Sequence, residues 1–466
     1  MKIVNLKNPV MASWLREQGL RLDAPPFLSG AIEARKLLEQ LPVKKEPLAS
    51  LTTGHNGGIF NGPKFARTYV DDPEYGVPFV GSSDMLQADL SRLPLLGKKD
   101  AYSPALSYLR LEEGMTLISC SGTIGRMVYV RSDMAGMWSS QHIMKVVPYP
   151  ERILPGYLYA FLSSKFGESL VVGGTYGAII QHIEPHHITN LPVPRLGEAV
   201  ETRAHELVQE AAAQRSKAAT LRAKALAIVV EELGWREPAK RSIYTSVSSL
   251  LLTRRMDAFH HSSPVVAAKK TLASHLTSIP LGDKVAEVFE PNRGARRKVS
   301  DPAYGVPFLS SSEMFHLDPQ GDYLISLRTP NLERLLIGSS DVLLPRSGQL
   351  GGIIGRAVLP LPGNYGHAAS EHLVRVRCKS PGDALYVWSI LASEPGYFAS
   401  IGTAFVSSIP SLACVLLHEL KVPWFTGAKR SQIEEIAAKM VTLLASAIEK
   451  DHEAVRAVES AIEEAA

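Results

Sequence analysis

Two short basic loops hold the residues best suited to contact a polyanion. GPKFARTY at Gly62–Tyr69 carries Lys64 and Arg67, and PNRGARRK at Pro291–Lys298 carries Arg293, Arg296, Arg297 and Lys298. Glycine and proline break both stretches, so these cations sit on irregular backbone rather than along a helix face. Guanidinium groups so placed suit phosphate oxygens and the paired acceptors of guanine. Lys64 and Arg293 stand 229 positions apart, as do Arg67 and Arg296. That agreement favours a shared binding role, for nucleic acid, over two unrelated solvated loops. Gln141-His142 and Glu371-His372 are polar pairs beside expected strands. Base contact and a plain structural role are both open for them.

Other groupings lose their chemistry on inspection. His182, His186 and His187 (HIEPHH) nearly have the spacing of a zinc-binding helix, but Pro185 obstructs that helix. At the equivalent positions downstream stand Ser411, Val415 and Leu416, so loop or capping histidines are favoured over ligands. Gly122–Gly125 (GTIG) lacks the third glycine and the downstream acid of a dinucleotide loop, and reads as a turn between strands. Asp72-Pro73-Glu74-Tyr75 approximates the Asn/Asp-Pro-Pro-Tyr loop of amino-methyltransferases, yet the second proline is missing and no glycine-rich cofactor loop precedes it. Neither half shows a nuclease-type carboxylate–lysine pattern, a P-loop or a nucleophile elbow. The expectation is a chain that is not an enzyme on its own and holds no metal.

The elements that position the loops are written twice. Asp72–Met85 (DPEYGVPFVGSSDM) and Asp301–Met314 (DPAYGVPFLSSSEM) agree at ten of fourteen positions. Phe60 falls on Phe289, Ser139–Val146 (SSQHIMKV) near Ala369–Val376 (ASEHLVRV), and Leu191–Pro194 (LPVP) on Leu420–Pro423 (LKVP). LISCSGTIGR at Leu117–Arg126 is answered by LLPRSGQLGGIIGR at Leu343–Arg356, and RLDA at Arg21–Ala24 by RMDA at Arg255–Ala258. A period this long is a duplicated domain, not a solenoid. Short strands are expected at Phe79–Val80, Thr116–Ser119, Met127–Val130 and Ile143–Val147. Their counterparts are Phe308–Leu309, Val342–Leu344, Ala357–Leu359 and Leu373–Val376. Helices are expected at Pro155–Lys165 and Gly382–Ser393.

After each copy comes a long stretch with apolar or small residues in 3-4 alternation. Gly197–Leu233 carries Leu207, Ala211, Leu221 and Ile228 on its stripe, interrupted at Gln214; Thr426–Ala466 carries Ile433, Ile436, Met440 and Leu443. A lone amphipathic helix of this length would leave its stripe wet, so the two are expected to pack on each other. The resulting fold class is α+β: two tandem-duplicated domains joined by two long helices in an antiparallel coiled coil, with pseudo-two-fold symmetry. Boundaries follow at residues 1–196, 197–236, 237–425 and 426–466.

Composition is compatible with this organisation. Of 466 residues, 45% are hydrophobic and 21% charged, enough for buried cores. The formal charge of +4 permits an anionic partner without requiring one. Three scattered cysteines, Cys120, Cys378 and Cys414, argue against a disulfide framework or a thiolate zinc site and fit a reducing cytoplasm. No signal pattern or membrane-length apolar run is expected.

The doubled order of RLDA/RMDA, the ISCSGTIGR and LPRSGQLGGIIGR turns, SSQHIMKV/ASEHLVRV and LPVP/LKVP before a long helix resembles the specificity (S) subunit of type I restriction–modification systems. The resemblance covers nearly the whole chain; Gln349-Leu350, two extra glycines and VPWF depart from it. It implies a non-catalytic, host-defence DNA reader with two target-recognition domains, each binding one half of an asymmetric bipartite double-stranded site. It further implies two methyltransferase subunits as partners, a restriction (motor-nuclease) subunit in addition, and S-adenosylmethionine on the methyltransferases, with no cofactor on this chain. The divergent stretches Leu86–Glu113 and Phe315–Gly338 would help carry base choice. A stand-alone DNA methyltransferase and a helical scaffold without DNA are the rival readings.

Overall fold

Short runs of β-branched and aromatic residues between proline- and glycine-containing turns favour several small sheets over one broad sheet. The computed structural model of the protein has that construction. It describes residues 10–17, 27, 29–121, 124–174, 182–238, 248–249, 252, 255–405 and 408–466. Arg21–Ala24, and Gly122 and Thr123 of the first glycine turn, lie outside the described residues. The chain divides into two compact units. One holds Met1–Ser216 with Ser446–Ala466, and the other Lys217–Ala445.

The first unit contains β1 (Lys45–Pro47), β2 (Ile59–Phe60), β3 (Tyr69–Val70), β4 (Gly76–Val80), β5 (Leu95–Gly97), β6 (Thr116–Ser119), β7 (Met127–Tyr129), β8 (Trp138–Ser139), β9 (Ile143–Val146) and β10 (Pro192–Pro194). One sheet runs β2-β9-β6-β7, a second β3-β5-β4-β8, and β1 pairs with β10. All neighbours are antiparallel except β4 and β8, which run parallel with Phe79 opposite Trp138. β6 and β9 are buried along their length, so they read as apolar runs rather than alternations. Helices Pro155–Ser163 and Lys165–Gly173 supply Tyr157, Phe161 and Phe166 to the same core.

The second unit repeats this plan with β11 (Ile279–Pro280), β12 (Glu287–Phe289), β13 (Lys298–Val299), β14 (Gly305–Leu309), β15 (Tyr323–Ser326), β16 (Asp341–Pro345), β17 (Ala368–Ala369), β18 (Leu373–Arg377), β19 (Ala404–Phe405), β20 (Ser411–Leu412) and β21 (Lys421–Val422). Its sheets run β12-β18-β16 and β13-β15-β14-β17, with pairs β11-β21 and β19-β20. β14 and β17 are again parallel, with Phe308 opposite Ala368. The fold is α+β, and the duplication holds at the level of strand pairing.

The fourteen duplicated residues build a strand between two side-chain-capped turns. Asp72 Oδ1 accepts from Glu74 N at 2.8 Å, and Asp301 Oδ1 from Ala303 N at 2.9 Å, each opening the turn before β4 or β14. After the strand, Asp84 Oδ2 accepts from Gly81 N at 2.9 Å, and Glu313 Oε2 from Ser310 N at 2.5 Å. Met85 and Met314 then plug their cores.

Two expectations need correction. Ala357–Leu359 forms no strand; one bridge, Leu343 to Val358, replaces the three residue pairs between β6 and β7. Pro345 and Pro360 lack the N–H groups that would extend that ladder. The helix expected at Pro155–Lys165 stops at Ser163 because Ser164, at ψ 159°, caps a second helix by accepting from Gly167 N.

The long helices span Glu198–Glu232 and Gly427–Ala465, 35 and 39 residues, or about 52 and 58 Å. In the first unit Ala204, Leu207 and Val208 pack with Ala454, Val458 and Ile462, beside the Arg203–Glu453 pair at 2.5 Å and the Glu210–Lys450 pair. In the second unit Ala218, Ala225 and Val229 pack with Ile433, Ala437 and Met440, beside Glu232–Lys429. The start of each helix thus meets the end of the other, which is an antiparallel arrangement. Ala211 and Ile436 are buried as expected, whereas Leu221, Ile228 and Leu443 flank the seam, half-buried. The buried face takes in Leu207 together with Val208 and Ala211 together with Ala212, then Ala218, Ala225 and Val229. Gln214 interrupts it half-buried, and its neighbour Arg215 pairs with Asp451.

Candidate nucleic-acid interface

The residues before β3 and β13 run extended, and their exposed cations are held from below. Arg67 lies over the Phe79 ring, 5.2 Å from its centroid, and donates to Gln141 Oε1 at 2.7 Å. Arg296 lies over the Phe308 ring at 4.4 Å and donates to Glu371 Oε1 at 2.6 Å and to the Tyr323 hydroxyl at 3.2 Å. Phe79 and Phe308 belong to the fourteen duplicated residues, and Gln141 and Glu371 to SSQHIMKV and ASEHLVRV. Each unit therefore assembles a guanidinium, an aromatic ring and a side-chain oxygen from the same three places. A stacked, oriented guanidinium keeps further N–H donors for a ligand at little cost in side-chain entropy.

The electrostatics differ between the units. Burial disfavours both charged forms of the Arg296–Glu371 pair, but their mutual bond outweighs it, raising the arginine's pKa and lowering the carboxylate's. Lys298 adds its ammonium 4.0 Å from the Tyr323 ring centroid. Arg293 and Arg297 stand exposed on the same loop, as does Lys64 in the first unit. His142 sits among Arg67, His182 and Lys64. Burial first, and then those positive neighbours, hold its pKa below the usual imidazole value.

His142 is part of a chain in the first unit. Its Nδ1 lies 2.8 Å from Ser121 Oγ, which is 3.1 Å from His182 Nδ1, and its Nε2 lies 3.1 Å from Gln141 Nε2. In the second unit the same bridge joins Ser347 and Ser411 through their hydroxyls at 2.8 Å, and His372 is held by its N–H on Ser370 Oγ at 3.2 Å. His187 Nδ1 accepts from Glu184 N at 2.9 Å, closing a capping box, and its ring lies 3.9 Å from that of His186, tilted by 49°. These two are capping and loop histidines. Among the described residues no group of three or more His, Cys, Asp or Glu side chains is placed to hold a metal ion.

Two further cations escaped the sequence reading. Lys145 and Arg375, in β9 and β18, have no exposed surface. Lys145 Nζ donates to Ser140 O at 3.2 Å and Ile143 O at 2.9 Å. Arg375 Nη1 donates to Ser370 O at 2.7 Å and Leu373 O at 2.5 Å, and Nη2 to Ala369 O at 2.6 Å and Leu335 O at 3.3 Å. Burial pushes the Lys145 pKa down to about 7, against the pull of nearby Cys120, and that of Arg375 to about 10. The available signal was a lone cation at the same place in IMKV and LVRV. The RMDA motif has a structural part: Arg255 bonds Asp257 and the carbonyls of Thr403 and Ala404. The divergent stretches supply β5 and β15, with Leu96 and Ile325 fully buried, so part of their difference is packing.

No protein-family model and no curated protein sequence matches the chain. Solved structures do, at low identity. The S subunit of a type I restriction–modification system from M. genitalium is 12% identical over 91% of this chain and 95% of that one, with a TM-score of 0.30. A chain from a study of complex assembly and conformational transition of the type I system is 13% identical over 91% and 98%, TM-score 0.28. The chain is also similar, at 15% identity over 92% and 95% and a TM-score of 0.27, to the HsdS subunit from Thermoanaerobacter tengcongensis.

Proposed function

We propose that this chain is the sequence-reading subunit of a type I restriction–modification complex and carries no catalytic site of its own. Each unit reads one half of an asymmetric bipartite site in double-stranded DNA. The paired long helices set the spacing and dock two methyltransferase subunits, with S-adenosylmethionine bound on those partners. Adenine is then methylated there, and a restriction subunit joins for cleavage. The work takes place in the cytoplasm. Among the described residues no helix is long and apolar enough to cross a membrane.

The observation that carries the reading is the doubled site: Arg67–Phe79–Gln141 and Arg296–Phe308–Glu371, built from equivalent positions on one strand plan. Two related but unequal readers give two unequal half-sites. Arginine on an aromatic shelf beside an amide or carboxylate is suited to base edges and phosphates in a groove. The chemistry of a stand-alone methyltransferase has no comparable support, since neither half carries a cofactor loop.

The test is methylome sequencing of cells with and without the gene, followed by gel shifts of the purified chain. A bipartite modified motif that vanishes with the gene, and is bound by the chain, is expected. Methyl transfer by the purified chain alone, or no binding to that motif at low salt, overturns the proposal.

A further inference from the structure

We propose that Lys145 and Arg375 are positioning residues for sequence reading, fixing through backbone carbonyls the turns that carry Gln141-His142 and Glu371-His372. This rests on the DNA-reading function above. Neither cation reaches the surface, so neither touches a ligand. What each touches is the backbone on both sides of the polar pair. Lys145 holds the carbonyls of Ser140 and Ile143; Arg375 holds those of Ser370 and Leu373, the same two positions in the second copy. The residues between those carbonyls are the ones that bond or neighbour Arg67 and Arg296.

Beside the cross-strand bonds from Cys120 N to His142 O at 3.0 Å and from Arg346 N to His372 O at 2.7 Å, the bonds within the turn are long. Ile143 N reaches Ser140 O at 3.2 Å and Leu373 N reaches Ser370 O at 3.1 Å; His142 N and His372 N reach serine hydroxyls at 3.3 and 3.2 Å. A donor from inside the sheet adds a second anchor to Ser140 O and Ser370 O and ties each to the carbonyl of Ile143 or Leu373. Burying a cation among carbonyls is unfavourable compared with an apolar residue of the same length in a strand otherwise built of Ile, Met, Val and Leu. Yet both copies place a cation there, and the side chain changes from lysine to arginine while the two carbonyl targets stay the same. A reader loses discrimination when its supporting backbone drifts by an ångström or less, which gives this costly arrangement a use.

Lys145→Met keeps the length of the side chain and removes its donors. The expected result is a folded protein with an unchanged or higher melting temperature. Its preference for the cognate first half-site over single-base variants falls by about 10-fold or more, while second-half-site preference is retained. Lys145→Arg, which restores donors, should stay within about three-fold of the parent. Arg375→Met and Arg375→Lys repeat the pair in the second unit and decide the matter if Lys145→Met does not fold. Folded methionine variants with parental discrimination overturn the inference, as does an equal loss of affinity for all duplexes. A parent chain with no preference among duplexes fails at the earlier step and overturns the DNA-reading function itself.

Discussion

The two units place a guanidinium over a phenylalanine in the same way and then partner it differently. In the first, Arg67 meets the neutral amide of Gln141, exposed and at the end of a polar chain through His142, Ser121 and His182. In the second, Arg296 meets the buried carboxylate of Glu371, and the histidine bridge is replaced by Ser347 and Ser411. Beneath them, Lys145 in one copy answers Arg375 in the other. One scaffold thus carries a reader whose arginine meets a neutral partner and another whose arginine is ion-paired to a buried carboxylate. The scaffold sets where the guanidinium stands, and the partner sets how tightly it is held.

The largest expected difference is in pH dependence. Lys145 has a folded pKa near 7, against an unfolded value near 10.4. Below pH 7 both states hold the proton and the burial penalty is fully present. As pH rises above 7 the unfolded chain binds more protons than the folded one, so stability from this site increases, by up to about 1.4 kcal/mol per pH unit. Cys120, the neighbour that opposes the shift, is itself raised to about 11 by burial and erodes stability where free thiols ionise, so the clean window is about pH 7 to 9. Urea unfolding of the parent and of Lys145→Met across this window should give lines that converge as pH rises, the parent gaining what the variant never lost. Arg375, with its folded value near 10, leaves no comparable trace below pH 9. Parallel lines would remove this asymmetry from the comparison.

Next in size is the cost of deleting each arginine. Arg296→Ala strands Glu371, only 7% exposed, without its cation, and should destabilise the fold by about 1–3 kcal/mol. Arg67→Ala leaves a neutral amide near solvent, and the change should stay within about 0.5 kcal/mol. Equal losses in chemical denaturation would show that the carboxylate is not what separates the two readers.

How much of this was legible depended on range. β6 coincides with the strand read from TLIS, and the long helices end within a residue of the stretches Gly197–Leu233 and Thr426–Ala466, because those signals are local. The repeat supplied the rest, since it singled out Arg67 and Arg296, Gln141 and Glu371 as pairs. Sequence had no means of bringing Arg67 to Gln141, 74 residues away. The stripe from Ala204 through Leu207, Ala211, Ala218 and Ala225 is buried, but the alternation did not show that Val208, Ala212 and Val229 join it while Leu221 and Ile228 stay half-buried. Only tertiary packing sets how wide the buried face is, and it includes Arg215, which pairs with Asp451. The buried cations stayed hidden because a charge in an apolar strand reads as an exception until its carbonyl partners are seen.

Salt dependence sharpens the comparison further. The second loop carries Arg293, Arg296, Arg297 and Lys298 where the first carries Lys64 and Arg67. If these are phosphate contacts, Arg293→Ala with Arg296→Ala should lower the slope of log K against log salt by about one to two. Lys64→Ala alone should lower it by about one at most. An unchanged slope in the double variant would assign those arginines to base edges or to structure instead.

The smallest effect comes from converting one reader into the other. Gln141→Glu places a carboxylate within reach of Arg67, as Glu371 stands to Arg296. Arg67 is exposed, so the new pair should stabilise the fold by only about 0.2–1 kcal/mol, and less at high salt. The sharper signal is at His142, whose pKa is now depressed by burial and by Arg67, His182 and Lys64. A carboxylate at its neighbour adds the first negative charge to that set and should move the imidazole upward, visible as a shift of its titration in NMR. The stability gain and the histidine shift share one cause. A shift without the gain would mean that the new carboxylate bonds His142 rather than Arg67, and that the locked state of the second unit needs Tyr323 and burial as well as charge.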